Sequence, residues 1–562
     1  MKKQRQIRKT GFFQTRAIGQ SEFIPYLALA AAVLAIYSNV FFNQFLFDDQ
    51  SMLVQNKFLH GWENLPSLLS NSNFSGADRA GGFHRPLQML LYFLIYQLFG
   101  LSLPAFHALN VGLHAVNAGL VYRLGRCFNL QRGLAFAAGL LWAVHPLHTE
   151  AVSYMSGTAD PLFTMLCLLG LIVLLPDFTP RRMWFASALF IAALLSKESA
   201  IIFPALASIS LFLTSKKRLQ LATYYKTWPL WLLAFLYGTA LFAFIQTGDF
   251  SMQDTQVAGY SDAYGHNVTN RILTFFATLP FYFSLIIWPS NLHMERSFDV
   301  FTTFDALPVL IGMAICVGIL LQIVWGCARR GLAFSWGALW FLIALSPNTG
   351  IAFPIDALVY EHWMYLPTIG ILLGFALVLS PWLKKMPKQV TIAVVLLAGV
   401  VAVVLAMKTY SQNEIWKNPV TFYENIFSSG ENSGKAHNNL GIYYMNRGEF
   451  ENAVEEYKKA IAHPMPLPQA EWPMLHTNLA AAYLGIRPAA VGVPSPDPIQ
   501  ALKRSLESSS HIPEAIDELK TALDLNPNLY LANKALAVIY AHEGDGEQAA
   551  LYADRAAQLV RQ

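Results

Sequence analysis

The chain has 562 residues, of which 54% are hydrophobic and 13% are charged, with a formal net charge of +4. About a quarter of the residues of soluble domains are charged, so this composition excludes a mainly water-soluble globule. The small net charge also lacks the strong basic excess that is typical of nucleic-acid-binding proteins. Because the apolar residues concentrate before about residue 410, we predict a membrane domain at residues 1–410 and a soluble domain at residues 411–562.

Apolar segments recur along the first domain, and the longer ones hold roughly 17–21 residues, enough to cross ~30 Å of hydrocarbon. The sequence predicts about eleven spans, at residues 24–42, 104–122, 133–145, 161–176, 183–195, 200–213, 228–245, 306–326, 333–346, 363–380 and 390–407. Residues 43–103 are expected to form a long segment outside the membrane. The predicted fold is therefore all-α, with a polytopic helical body.

Lys and Arg in the short loops predict the orientation of these spans, because basic loops stay in the cytoplasm. The basic segment at residues 2–9 is accordingly placed in the cytoplasm. One more apolar segment, residues 271–289, conflicts with the rule, since its crossing would put Arg329 and Lys384 outside. We therefore predict that this segment is re-entrant or interfacial, and that the soluble domain emerges on the same outer side as residues 43–103.

The soluble domain has an internal repeat. Residues 436–460 follow the 34-residue tetratricopeptide pattern, with Gly448 at the turn between its two helices. A second unit begins at His476 and is interrupted by a Pro- and Ser-rich insertion at about 487–512, and a third unit covers residues 527–562. The pattern predicts an α-solenoid, whose packing either serves stability alone or forms a concave groove for a peptide.

Ionisable residues near the spans gather on the predicted outer side. Charged groups next to a membrane are costly and usually face a polar cavity. The set comprises Asp48, Asp49, His84, Arg85, His145, His148, Glu150, Asp160, Lys197, Glu198, Arg271, His293, Glu295, Arg296, Glu361 and His362. Their concentration on one face predicts a cleft for a polar or anionic ligand at the bilayer edge.

The acidic and histidine residues of this set allow two interpretations. Asp48 and Asp49 are candidates for catalysis, or are interfacial carboxylates that end a helix; bordering water, they are not expected to carry stability. Residues 145–150 place two histidines and a glutamate at the spacing of metal ligands, yet a structural hydrogen-bond network explains them equally well. Whether a metal binds there stays open.

The basic residues also have structural alternatives. Arg85 and Arg271 are candidates to bind a lipid phosphate, because guanidinium pairs with phosphate oxygens through two hydrogen bonds. The alternative is that their side chains only reach toward the membrane surface. For Lys197 and Glu198, the alternative to a role in the cleft is that they neutralise each other at a short helix end.

The sequence around these polar residues carries a family resemblance. The segments are Phe47-Asp48-Asp49, Arg85-Pro86-Leu87, Phe106-His107 with Asn110 and His114, AVHPLHTEAVSYMSGTAD at residues 143–160, Ser196-Lys197-Glu198, Pro347-Asn348, and Tyr360-Glu361-His362-Trp363-Met364-Tyr365-Leu366-Pro367. In order and approximate spacing they resemble the tetratricopeptide-bearing transmembrane O-mannosyltransferases (the TMTC family), which belong to the GT-C glycosyltransferases. The repeats follow where that family has them.

The resemblance implies a GT-C-type body that moves a mannose-like hexose from a polyprenyl phosphate to a protein Ser or Thr hydroxyl, outside the cytoplasm. It places Asp48 and Asp49 at the reaction centre, one of them as general base. The donor phosphate is expected to be bound by Arg85, Arg271, Arg296 and Lys197. The remaining polar network of the cleft is expected to comprise His84, His145, His148, Glu150, Asp160, Glu198, Glu361 and His362.

Three positions depart from the family's motifs. His84, Thr158 and His362 stand where the family has Tyr, Arg and Arg. Two cations are thus absent near the expected donor site, so the donor sugar and its carrier stay open, while the expected reaction type is unaffected.

The expected partners are a polyprenyl-phosphate-linked sugar, membrane lipid, and an acceptor protein or peptide that the repeat groove is a candidate to hold; no nucleic acid is expected. No cofactor is required, with a divalent cation as an open alternative. The shorter repeat array suggests a bacterial inner-membrane protein, with its active face and repeats in the periplasm. The alternative function is a non-enzymatic membrane scaffold whose repeats bind an extracytoplasmic partner.

Overall fold

The computed structural model describes residues 20–77, 83–175, 179–214, 225–246, 262–329, 332–355, 357–431, 433–463, 472–487 and 498–561. These residues form α-helices, short 3-10 helices and one π-helical turn, with no β-strand among them. The predicted all-α fold is confirmed.

The body is a helical bundle whose helices largely follow the apolar runs of the sequence. Its first half contains α1 (Gln20–Ile36), α2 (Leu65–Ser70), α3 (Pro86–Phe99), α4 (Leu103–Cys127), α5 (Arg132–Ala143), α6 (Thr149–Val152), α7 (Ala159–Leu174), α8 (Pro180–Leu194) and α9 (Phe203–Thr214). Its second half contains α10 (Trp228–Gln246), α11 (Asp262–Gly265), α12 (Val268–Ile287), α13 (Leu307–Arg329), α14 (Leu332–Leu345), α15 (Pro367–Leu383) and α16 (Lys388–Asn413). The main apolar core lies among α1, α4, α5, α7, α8, α9, α14 and α15.

Five helical stretches of the described residues are long and apolar enough to cross a membrane, judged by length and composition alone. They are Met155–Leu174, Val268–Ile287, Leu307–Gly326, Glu361–Leu383 and Lys388–Trp416. The last of these buries only 6% of its most apolar window inside the protein, as expected for a helix whose side chains face lipid. The findings support a membrane body, and the number of eleven crossings stays a prediction.

Helices α1, α5 and α16 end together. The Asn413 side chain, at the end of α16, donates to the carbonyl of Ile36 at 2.9 Å, and the Thr409 hydroxyl donates to the carbonyl of Val144 at 2.6 Å. Helix α14 ends there as well. Near its end, Trp340 donates to the carbonyl of Leu366, and the neighbouring Tyr365 carbonyl accepts from Trp142 at the end of α5. We call this the site end of the bundle.

Helix α12 has both of its ends at the site end. Just before its start, the Tyr264 hydroxyl lies against Gly350, which follows α14. Near its other end, the carbonyl of Ile286 is hydrogen-bonded to Nε2 of His145, which follows α5, at 3.0 Å. The helix is long and apolar enough to cross a membrane, so the interpretation of residues 271–289 as re-entrant or interfacial stays a prediction.

The C-terminal part is a stack of helices in the tetratricopeptide manner. They are α17 (Pro419–Ser428), α18 (Gly434–Arg447), α19 (Phe450–Ala462), α20 (Trp472–Tyr483), α21 (Pro498–Leu506), α22 (Ile512–Leu525), α23 (Tyr530–Glu543) and α24 (Gly546–Arg561). Gly448 ends α18 with a φ of 77°, a left-handed conformation that favours glycine. A Cβ on Gly441 would lie 2.6 Å from the ring of Tyr457, so a small residue is needed where α18 meets α19.

The predicted insertion at 487–512 needs a correction. Residues 488–497 lie outside the described residues, but residues 498–506 form helix α21 rather than irregular structure. Leu502 and Leu506 are buried in the same apolar cluster as Leu484 and Leu536. Apolar side chains one turn apart on a short helix outweigh the Pro- and Ser-rich composition, because they complete the core of the repeats.

The two parts of the chain share an apolar cluster at the site end. Leu46 and Tyr154 of the body are buried in it together with Trp416, Tyr423 and Leu440. The predicted boundary at residue 410 falls inside α16, and the division into two domains stays a prediction.

Candidate functional site

Asp48 and Asp49 follow α1 after a turn, and their side chains lie in different environments. Asp49 is buried, and its carboxylate accepts hydrogen bonds from the backbone N–H of Leu46 (2.9 Å) and from the N–H (2.8 Å) and Oγ (2.5 Å) of Ser156. Asp48 is half-buried, and its N–H donates to the Tyr154 hydroxyl at 3.0 Å. The expectation that both carboxylates border water is therefore wrong for Asp49, which joins two remote segments.

Burial of Asp49 changes its acidity. Desolvation raises the pKa of this carboxyl to about 7, against the hydrogen bonds from Leu46 and Ser156, which lower it. Asp49 therefore holds its proton up to near-neutral pH. Asp48 is the carboxyl of the pair that a ligand can reach.

Ser156 belongs to a compact segment of three short helices, Pro146–His148, Thr149–Val152 and Met155–Thr158. The segment folds tightly at Gly157, where a Cβ would come within 2.9 Å of the carbonyl oxygen of Glu150. The Gln88 side chain of α3 donates to the Ser156 carbonyl at 3.1 Å. The segment thereby brings Asp49 close to the start of α3, where Arg85 lies.

Four charged residues beside this segment form two ion pairs. Arg85 donates through Nε (3.1 Å) and Nη2 (2.7 Å) to the two carboxylate oxygens of Glu198. Lys197 donates to both oxygens of Asp160 at 2.8 and 2.7 Å, and both side chains are buried. The alternative that Lys197 and Glu198 neutralise each other is wrong, because the two adjacent side chains bond to different partners.

A second polar network lies at the start of α15. One oxygen of Glu150 accepts from the N–H groups of Glu361 (2.8 Å) and His362 (3.0 Å), and the other lies 2.7 Å from Nδ1 of His362. Glu361 in turn accepts from the N–H of His293 at 2.9 Å and from Nη2 of Arg296 at 2.6 Å. Buried carboxylates are here satisfied by hydrogen bonds, as buried polar groups must be.

Arg296 still has a free donor. Its Nε is buried and has no hydrogen-bond partner among the described residues. Its guanidinium lies 5.1 Å from the centroid of the Phe281 ring. Phe281 in turn lines an apolar groove of about 380 Å³, together with Ala277, Pro280, Ser297, Phe298, Asp299, Phe301, Leu307, Pro308 and Ile311.

Two other predicted residues bond to backbone carbonyls. Arg271, in the first turn of α12, donates to the carbonyl of Gly265 at 2.9 Å. His84 is exposed and hydrogen-bonds to the carbonyl of Leu69.

The two histidines of residues 145–150 are structural in this arrangement. His145 is bonded to backbone groups, and the fully buried His148 packs on the rings of Trp142 and Tyr365. Over the described residues, no group of three or more His, Cys, Asp or Glu side chains is placed to hold a metal ion.

Sequence reasoning missed Ser156, Tyr154 and Gln88 as parts of the site. Tyr154 and Ser156 stand inside the longest segment of the family resemblance, between Glu150 and Asp160. Their position inside that segment was the sequence evidence that could have identified Tyr154 and Ser156 as site residues. For Gln88 the only such evidence was its place one turn after Arg85.

Comparison with known proteins agrees with these observations. The tetratricopeptide repeat family matches residues 434–463. A Caenorhabditis elegans protein O-mannosyl-transferase, F38B6.6, is 24% identical over 459 residues, which cover 79% of this chain and 63% of that protein. Human protein O-mannosyl-transferase TMTC3 is 26% identical over 482 residues, which cover 78% of this chain and 51% of the human protein. Drosophila melanogaster protein O-mannosyl-transferase Tmtc1 is 35% identical over 179 residues, which cover 31% of this chain and 21% of the Drosophila protein.

The chain spans between half and two thirds of the length of the first two relatives. Their matches cover most of this chain, and the repeat family matches residues 434–463 within the part that follows α16. The chain is accordingly a relative of the tetratricopeptide-bearing transmembrane O-mannosyltransferases, the TMTC family.

Proposed function

We propose that this chain is a GT-C-type glycosyltransferase that moves a mannose-like hexose from a polyprenyl phosphate to a Ser or Thr hydroxyl of a protein. The observation that carries the proposal is the reachable carboxyl of Asp48, held at the site end by Tyr154 and by its buried neighbour Asp49. Polyprenyl phosphate is lipid-soluble, which suits a site at the edge of a membrane body.

In the proposed reaction, Asp48 accepts the proton of the acceptor hydroxyl while that oxygen attacks the anomeric carbon. The bond from the anomeric carbon to the phosphate oxygen breaks, the new glycosidic bond forms with inversion, and lipid phosphate leaves. General-base help of this kind contributes about 10²–10⁴-fold to the rate. Asp49 acts through its hydrogen bonds to Leu46 and Ser156, which hold the turn that carries Asp48.

Of the four cations predicted to bind the donor phosphate, Arg296 and Arg85 fit best. Arg296 has an unused Nε donor beside the apolar groove, which suits a phosphate with an attached hydrocarbon chain. Arg85 is oriented by Glu198 through Nε and Nη2, which leaves Nη1 outside that contact. Lys197 is buried against Asp160 and is a weaker candidate. Arg271 also has a buried Nε without a partner among the described residues, but it donates to the carbonyl of Gly265, which does not line the groove.

The proposed location of the protein and the role of its repeats follow the expectation from the family resemblance. We infer that the active face and the repeats lie outside the cytoplasm, in the periplasm of a bacterium, and that the repeats help to hold the acceptor protein. No cofactor is required in this proposal, and a divalent cation remains the alternative to cation-free phosphate binding.

The test is transfer by purified protein in detergent, with polyprenyl-phosphate mannose, a Ser/Thr-containing peptide, and intact-mass detection of the product. We expect transfer by the wild type, loss of about 10²-fold or more in Asp48→Asn, and no change in Asp554→Asn, an exposed carboxyl of α24. Full activity of Asp48→Asn would remove Asp48 from the reaction. Wild-type protein that transfers no sugar from mannose, glucose or galactose carriers would favour the scaffold function instead.

A further inference from the structure

We propose that the start of the C-terminal part, residues 414–440, completes the reaction centre by positioning Asp48. Trp416 and Lys435 are the positioning residues. The role of Asp48 rests on the proposed function, whereas its positioning by this segment does not.

The turn before Asp48 is strained. Phe47 has a φ of +45°, in the left-handed region that residues with a Cβ rarely adopt. Such a conformation persists only where surrounding contacts hold it, and it is common at functional sites. Contacts from outside the turn must therefore hold Phe47, and with it the direction in which Asp48 points.

One set of contacts comes through Trp416. The backbone N–H of Gln44 donates to the carbonyl of Lys417 at 2.9 Å, which ties the start of the turn to the segment. The Tyr154 ring, whose hydroxyl accepts the N–H of Asp48, stacks on the Trp416 ring with centroids 5.6 Å apart and planes at 26°. Trp416 is buried in the cluster that also contains Leu46. Trp416 therefore fixes the group that holds the Asp48 backbone.

The second set of contacts comes through Lys435. Its ammonium lies 5.1 Å from the centroid of the Phe47 ring and 3.6 Å from a carboxylate oxygen of Glu295. The Asn425 side chain also donates to the carbonyl of Leu292 at 3.0 Å, so the same segment is attached to the loop that carries Glu295. Phe47 is thus contacted by Lys435 of α18, and its ring packs against the apolar cluster that contains Trp416.

The first experiment compares kinetic constants of the full-length protein. Lys435→Met removes the cation from a partly exposed position, Lys435→Arg retains it, and Lys520→Met removes a comparable cation, 5.7 Å from the Tyr540 ring within the repeats. We expect kcat to fall about 10- to 100-fold in Lys435→Met, as misplacement of a catalytic group does. The KM values of donor and peptide and the melting temperature should stay unchanged. Lys435→Arg should recover most of the kcat, and Lys520→Met should behave as wild type.

An unchanged kcat in Lys435→Met would overturn the inference. So would a change confined to the KM of the peptide, which assigns the segment to acceptor binding, or an equal loss in Lys520→Met, which indicates general damage to the repeats.

The second experiment reads the positioning without any activity. Hydrogen exchange by mass spectrometry follows the peptide that covers residues 43–50, in Trp416→Leu and in the ring-retaining control Trp416→Phe. We expect faster exchange in Trp416→Leu, because the amides of Gln44 and Asp48 lose their fixed acceptors, and near-wild-type exchange in Trp416→Phe. Unchanged exchange in Trp416→Leu would overturn the positioning even if the protein is active. Faster exchange in a protein that transfers no sugar would support the positioning and contradict the proposed function.

Discussion

Two adjacent carboxyls of this protein differ in their surroundings because one points into the protein and the other remains reachable. Asp49 receives three hydrogen bonds in a buried position, whereas Asp48 keeps a half-exposed side chain. Residue type alone therefore does not assign their roles. Burial and hydrogen-bond partners separate a carboxyl that holds the turn from one that can accept a proton.

The raised pKa of Asp49 predicts a pH-dependent stability. A carboxyl whose folded-state pKa is about 7, against 3.8 for the ordinary group, stabilises the folded protein fully below about pH 4 and loses that contribution as the pH rises through 7. We expect the melting temperature in detergent to fall between pH 5 and pH 8, and the fall to be smaller in Asp49→Asn by at least about 2 °C. Identical pH profiles of the two proteins would show that Asp49 ionises freely when folded.

The contact between Arg85 and Glu198 predicts two separable effects. Arg85→Ala should lower the free energy of unfolding by about 1–2 kcal/mol, at the low side for charged hydrogen bonds because Glu198 is about a third exposed. It should also raise the KM of the lipid-linked donor severely, and Arg85→Lys in part, because Lys lacks the planar fork. In the double variant Arg85→Ala/Glu198→Ala, stability should recover and donor KM should not. Recovery of both would show that Arg85 serves only the ion pair.

Among the elements, the segment of short helices from Pro146 to Thr158 joins both polar networks. Its start supplies Glu150 to the backbone of Glu361 and His362, and its end supplies Ser156 to Asp49. In a regular helix the N–H of Ser156 would be used for a hydrogen bond within the helix, whereas here it donates to Asp49. The broken helix is thus what brings the networks together.

Gly157 is the sensitive position of this segment. In Gly157→Ala the new methyl group would lie 2.9 Å from the Glu150 carbonyl oxygen and 3.0 Å from that of Ala151, and backbone atoms cannot move aside cheaply. We expect a loss of about 1–3 kcal/mol in stability, together with reduced transfer, because Ser156 shifts away from Asp49. Gly546→Ala, where nothing lies within 4 Å of the added methyl, is the matched control. Normal melting and activity of Gly157→Ala would contradict the tight packing.

For the whole molecule, the course of α12 decides the side on which the repeats lie. If both ends of α12 are on the outer side, the parity of the basic loops places the C-terminus outside the cytoplasm. We expect a reporter that is active only outside the cytoplasm to be active when fused after Gln562, and inactive when fused in the loop after Arg126. Inactivity of both fusions would mean that α12 crosses the membrane and that the repeats lie in the cytoplasm. The reverse pattern would mean that the whole body is inverted and that the site faces the cytoplasm.

The sequence by itself determined the helical fold and the repeats, and it singled out the polar residues near the apolar runs, because apolar runs and repeat spacings are local patterns imposed by helix geometry. It did not determine the pairs that those residues form. Lys197 meets Asp160 across 37 positions, and Glu198 meets Arg85 across 113. Such partners depend on which helices are neighbours and which way each side chain points. For the same reason only the tertiary structure decided that Asp49 is buried and that Trp416 supports the turn of Asp48.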